Sequence, residues 1–177
     1  MAENSKGKTW RVLLLLARIA LAVIFLVAAY AKLKPQTDVP WSFASVKTSL
    51  SMFAMQVDSY QLLPETQVSL AAHFLPPFEL ILGLWLLSGI GLRSSSLLTT
   101  LLLAGFFAVM VRTFALGLEI NCGCFGPGEK LGPRTLLRDG SLLALSLFVT
   151  AGAFLSSRRQ SPASEPAPAI SAPQRAD

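Results

Sequence analysis

Charge is scarce in this sequence. Asp, Glu, Lys and Arg together make up 14% of its 177 residues, against about a quarter in an ordinary soluble domain. That shortage argues against a water-exposed globule. Histidine occurs once and cysteine twice, which excludes a disulfide-dense scaffold and a histidine-rich metal protein. No internal repeat is evident, which sets aside solenoid architectures. A net charge of +5 would suit a nucleic-acid binder. However, Lys6, Lys8, Arg11, Arg93, Arg158 and Arg159 all flank hydrophobic runs, the positions that set membrane orientation. No nucleic-acid partner is expected. The partner is the lipid bilayer.

Hydrophobic residues fill the space, at 53% of the chain. Four long apolar runs stand out: Val12 to Leu33, His73 to Leu92, Ser96 to Leu118 and Leu136 to Leu155. Each is near the ~20 residues that cross a ~30 Å hydrocarbon core. The first also has features of a signal peptide, with basic residues before it and Ala29-Tyr30-Ala31 near its end. Its length and its internal Arg18 favour a retained span over a cleaved leader. Pro76 and Pro77 fall in the first turns of the second run, where proline is tolerated. Between runs one and two, Phe43, Val46, Leu50, Phe53, Val57 and Tyr60 recur at helical spacing from Ser42 to Leu63. This predicts an amphipathic helix on the membrane surface, ended by Pro64.

The expected fold is therefore all-α and integral to the membrane: a four-transmembrane-helix bundle with an extra amphipathic helix between spans one and two. Residues 1–11 form a cytoplasmic N-terminus, 12–156 the membrane domain and 157–177 a tail of Pro, Ala and Ser too polar to fold. Four spans put the basic segments on one side, the cytoplasm of a bacterial-type inner membrane. Both termini then lie inside. The loop between runs three and four faces outward, where disulfides persist.

That loop carries Cys122-Gly123-Cys124. Cysteines two apart can place their Cα atoms ~5.5–7 Å apart, overlapping disulfide range. Gly123 supplies the backbone freedom this needs. So small a ring is strained and easily reduced, which suits redox exchange. Gly126, Pro127 and Gly128 are expected to keep the pair exposed. Three readings stay open: thiol–disulfide exchange, a structural or intermolecular bridge, and metal binding. The last is the weakest, because two thiolates do not complete a tetrahedral site and His73 is on another run. No cofactor is specified; a quinone would serve a membrane redox relay, but no residue set calls for it.

Arg18, Glu79 and Arg112 interrupt the apolar runs. Charges there cost about 2.5–3.5 kcal/mol each and tend to pair inside the bundle. Glu79 lies roughly 5 Å outward of its helix midpoint and Arg112 roughly 9 Å outward of its own, so the two are expected to pair in the outer half. Lys32 and Arg138 lie near that level. A positive surround beneath the Cys loop would favour thiolate. Arg18 lies toward the cytoplasmic side, where it can snorkel. His73 reads as interfacial, and Trp41 and Trp85 as interface and core residues.

These residues in order resemble the MauE methylamine-utilisation family and its DoxX-like, redox-associated membrane relatives. Asn121-Cys122-Gly123-Cys124-Phe125-Gly126 carries the resemblance. Arg18, Ala29-Tyr30-Ala31-Lys32-Leu33, Tyr60-Gln61-Leu62-Leu63-Pro64 and Pro77-Phe78-Glu79-Leu80 with Gly83 support it. It covers roughly residues 11 to 155. The resemblance implies a four-helix membrane fold and a role in methylamine metabolism. It further implies help in maturing or transporting an exported, cysteine-bearing client of the methylamine dehydrogenase type, with a thioredoxin-like redox partner. The rival reading is a non-catalytic membrane assembly or transport subunit with a structural Cys pair.

Overall fold

The computed structural model describes residues 2–35, 40, 42–123 and 129–158, with side chains described between residues 8 and 155. Five helices run in order: α1 (Ala2–Leu33), α2 (Phe43–Asp58), α3 (Glu65–Ser88), α4 (Leu92–Ala115) and α5 (Pro133–Arg158). Four of them are long and apolar enough to cross a membrane: Lys8–Leu33, Glu65–Ser88, Leu92–Ala115 and Pro133–Leu155. Among the described residues there is no strand beyond a single antiparallel bridge between Asn121 and Lys130. This is the helical membrane bundle that the apolar runs predict.

The short helix α2 starts at a capping box. The Ser42 side chain accepts a hydrogen bond from the Ser45 backbone N–H, and the Ser45 hydroxyl oxygen accepts one from the backbone N–H of Ser42. Ser49 donates to the Lys34 carbonyl at 3.1 Å, which ties α2 to the end of α1. The helix stops at Asp58, earlier than Leu63. Pro64 is the N-cap of α3 rather than the stop of α2. Tyr60 to Leu63 therefore form a connection, with Gln61 at a positive φ of 51°.

The largest departure from expectation is in α3. It begins at Glu65, eight residues before His73, so Pro76 and Pro77 lie in its interior. Glu65 to Ala71 mixes polar and apolar residues, which hides a helix from a hydropathy reading. Val68 and Ala72 nonetheless bury one face of that half, which packs against α2. The interior prolines deprive two backbone carbonyls of their usual donors, which tolerates a helix in lipid only with support from neighbouring elements.

Helices α1 and α3 pack antiparallel. Lys32 meets Glu79, Leu26 and Ala22 lie against Gly83, and Arg18 lies against Gly89: partners fall along α1 as they rise along α3. Gly83 sits so close to α1 that an added Cβ would lie 3.0 Å from Leu26 and 3.2 Å from the Ala22 carbonyl. Small residues at such crossings let backbones approach in lipid. Helices α4 and α5 form the second pair. Gly140 admits the Phe107 ring, and the Thr100 and Thr150 hydroxyls meet at 2.9 Å. Ser95, Ser96, Thr99, Thr113 and Ser146 are buried in this half. The two pairs join around Ala17, Leu21, Ala22, Leu86 and Val149. Leu16, Ile81, Leu101 and Leu147 are more than half exposed, as lipid-facing side chains are.

Two boundaries differ from the sequence reading. Helix α1 already includes residues 2–11, since no proline separates them from the span. Helix α5 extends to Arg158. Residues 159–177, which hold the rest of the expected tail, lie outside the described residues, as does Trp41.

Candidate functional site

The α4–α5 connection folds back on itself. Cys122 N–H donates to the Glu129 carbonyl at 2.7 Å and Leu131 N–H to the Ile120 carbonyl at 2.8 Å. These bonds close a small antiparallel base beneath the tip. Gly123 follows Cys122 with φ of 70°, a left-handed conformation that favours glycine. Its position is filled on one side by Gln56 of α2, whose Oε1 would lie 2.8 Å from an added Cβ. A second tie comes from Tyr60, whose hydroxyl donates to the Cys122 carbonyl at 2.7 Å. The α2–α3 connection thus holds the cysteine loop by its backbone.

Cys122 is buried, at 4% exposure. The exposed sulfur expected from the glycine-rich surroundings is not found at Cys122. Tyr60 and Gln56 hold the backbone at Cys122 and Gly123, and the sulfur is turned into the bundle. Cys124, Gly126, Pro127 and Gly128 lie outside the described residues. The Cys122 Sγ is 3.6 Å from Met110 Sδ and 4.0 Å from both Asp139 Oδ2 and an Arg138 guanidinium nitrogen. Arg138 in turn bonds Asp139 at 2.9 Å and Glu129 at 2.5 Å. A cation and a carboxylate therefore reach the sulfur together.

This corrects the expected positive surround. Arg138 is present, but it is bracketed by Asp139 and Glu129. The Lys32 ammonium is bound by both oxygens of Glu79, at 2.8 and 2.6 Å. The site is a set of compensated charges.

The Lys32–Glu79 pair also replaces the expected Glu79–Arg112 pair. Arg112 is exposed, while Lys32 and Glu79 are buried at 7% and 4% exposure. The reason is packing: α3 lies along α1 and has far less contact with α4. Because α3 starts at Glu65, Glu79 lies near the middle of its helix instead of in the outer part, where it meets the last turn of α1. The ammonium lies 5.4 Å from the Phe53 ring centroid, within range of a cation–π attraction.

A cavity of about 430 Å³ links these groups. Lys32, Glu79, Cys122, Gly123 and Asp139 line it among apolar residues of α1 to α5. Arg18 and Arg112 are not in this lining. Arg18 lies near Gly89 at the other end of the bundle. His73 is exposed and its Nδ1 is 2.8 Å from the Ser69 carbonyl. No cluster of three His, Cys, Asp or Glu side chains suited to a metal occurs among the described residues.

Tyr60, Gln56, Met110, Glu129 and Asp139 belong to this site, although the cysteine motif alone does not single them out. For Asp139 a signal existed: a carboxylate one residue from Arg138 at the start of an apolar run. Tyr60 stood in the Tyr60-Gln61-Leu62-Leu63-Pro64 segment that supports the family resemblance, but nothing tied it to the cysteines; for Gln56 there was no signal, since only the fold brings α2 and its connection over the loop.

No curated protein and no solved structure matches the chain. A family match does cover most of it. The chain belongs to the family described as methylamine utilisation protein MauE, which matches residues 10–152, and that membership supports involvement in methylamine utilisation.

Proposed function

We propose that the protein serves methylamine utilisation as a membrane thiol–disulfide exchange factor. Its client is an exported protein with cysteines, of the methylamine dehydrogenase type. The observation that carries this reading is the Cys122 Sγ set 4.0 Å from both Arg138 and Asp139. A guanidinium stabilises a thiolate, and a carboxylate is a ready acceptor for the thiol proton.

The burial of Cys122 suits a resolving role and leaves the client-facing attack to Cys124. The Cys124 thiolate attacks a client disulfide. One client sulfur bonds to Cys124 and the other leaves as thiolate. Cys122, its proton passed to Asp139, then attacks the Cys124 sulfur. The second client sulfur leaves as thiolate, and the Cys122–Cys124 disulfide forms. The client gains two electrons and the pair loses two. The same steps in reverse oxidise the client. A thioredoxin-like protein is the natural class of partner to reset the pair. On this reading the Cys loop faces the periplasm and both termini the cytoplasm.

The test replaces Cys122 and Cys124 with Ser, singly and together, in the full chain in cells. Client disulfides are read by thiol trapping and client activity is assayed. The expected result is loss of client maturation in all three variants, with a trapped mixed disulfide only in Cys122→Ser. If all three variants leave client disulfides and activity unchanged, the exchange reading fails. The buried Lys32–Glu79 pair favours a second reading, an assembly or transport subunit without thiol chemistry. It gains if the Cys-free variant works while Glu79→Gln does not.

A further inference from the structure

A second cavity, of about 540 Å³, opens at the end of the bundle opposite Cys122. Its walls come from the first half of α1, the α3–α4 turn and the last half of α5. Arg11, Arg18 and Arg93 all line it. Among the described residues no carboxylate lines it, and none of the three arginines is in an ion pair.

Arg18 is the informative member. It is half-buried, held against Gly89 in the α3–α4 turn. Its Nε is excluded from solvent and has no hydrogen-bond partner among the described residues. A buried guanidinium nitrogen left without an acceptor is costly, so its place in a fixed wall calls for one. Two further features point to an anion. Gly91, in a left-handed conformation, opens α4 with no side-chain cap, so the start of α4 adds the positive end of a helix dipole. Arg93 is exposed at the rim, its guanidinium 5.7 Å from the Phe154 ring centroid. That stacking holds a cation at the mouth.

The rest of the wall is apolar. Leu14, Leu15, Leu92, Val149 and Ala153 share it with the arginines, and Leu15 is 45% exposed on the lipid-facing side. A free anion would use only the basic part of such a cavity. A phospholipid uses both parts, with its phosphate among the guanidiniums and its acyl chains along the leucines.

We propose that the cavity formed by Arg11, Arg18 and Arg93 binds the phosphate of an anionic phospholipid from the leaflet on the basic side of the protein. The lipid seats the α3–α4 turn against α1 and α5, and neutralises Arg18 within the bundle. This site is separate from the cysteine site and does not depend on its chemistry.

The test uses the full chain purified in detergent. Retention of added phosphatidylglycerol is measured by native mass spectrometry and by thermal unfolding. Phosphatidylcholine and inorganic phosphate serve as the other arms. The expected result is that phosphatidylglycerol is retained and raises the unfolding temperature, while the other two do neither. Arg93→Gln changes an exposed rim residue and is expected to fold normally. It should weaken phosphatidylglycerol retention about fivefold, the loss expected per basic residue at an anionic lipid surface. Arg18→Gln should weaken it at least as much. Arg134→Gln, an exposed cation near the cysteine end, should have no effect. Equal retention of phosphatidylglycerol and phosphatidylcholine overturns the proposal. So does inorganic phosphate alone reproducing the thermal shift, which would mark a free-anion site. An Arg93→Gln protein that holds phosphatidylglycerol as tightly as the wild type overturns it too.

Discussion

The Lys32–Glu79 pair joins the last turn of α1 to the middle of α3. Both side chains are buried, so each is tolerable only because of the other. Removing one partner of a buried pair costs about 3–5 kcal/mol, whereas replacing both with apolar residues is often near neutral. Glu79→Leu is therefore expected to lower the unfolding temperature sharply, and Lys32→Met/Glu79→Leu to recover most of the loss. Thermal unfolding of the single and double variants in the same detergent checks this. Equal losses in both would show that the pair is not a coupled unit. The carboxylate itself was legible in the sequence as an anomaly within an apolar run. Its partner was not. Lys32 and Arg112 were both available by depth, and only the packing of α3 on α1 decides between them.

The same limit applies at the level of elements. The four spans were readable because lipid demands long apolar runs, and the capped α2 was readable from its helical spacing. The first half of α3 was not, because Glu65 to Ala71 packs on α2 and carries only a narrow apolar face. Its discovery moves Pro76 and Pro77 to mid-helix. The cysteine loop shows a similar division. Its motif and its glycine were visible, but the contacts from Tyr60 and Gln56 come from elements about sixty residues earlier in the chain. Gly123 is where loop and Gln56 meet. Alanine there must hold a left-handed backbone, a cost of about 1–2 kcal/mol, and must displace Gln56. Gly123→Ala is expected to loosen the loop, so that maleimide labels Cys122 faster in reduced protein. Gln56→Ala in that background removes the clash and not the backbone strain, so it should slow labelling only in part. Unchanged labelling in Gly123→Ala would mean that the loop is held elsewhere.

For the whole molecule, the two ends differ in how their charges are used. Around the cysteine site the buried and half-buried cations are matched, Lys32 by Glu79 and Arg138 by Glu129 and Asp139, while Arg112 and Arg134 are exposed at the same end. At the other end, Arg11, Arg18 and Arg93 share a cavity that no carboxylate lines among the described residues. Loop cations orient a membrane protein toward the cytoplasm. A cation held by a neighbouring carboxylate offers less net charge to an anionic membrane surface than an unmatched one. The end that gathers Arg11, Arg18 and Arg93 around one cavity is therefore expected to be cytoplasmic, and the cysteine end, where carboxylates hold Lys32 and Arg138, to face outward. The fold sharpens the argument, because Arg11 and Arg93 are distant in sequence yet line one cavity, on the side away from Cys122. Ser94 is exposed beside that cavity and offers a reporter. In intact spheroplasts, an impermeant maleimide should label the native cysteine loop after mild reduction. With Cys122 and Cys124 replaced by Ser, a cysteine introduced by Ser94→Cys should be labelled only after the membrane is permeabilised. The opposite pattern would place the cysteine pair in the cytoplasm, where thiols are kept reduced, and would remove the exported client from the proposed function along with the orientation.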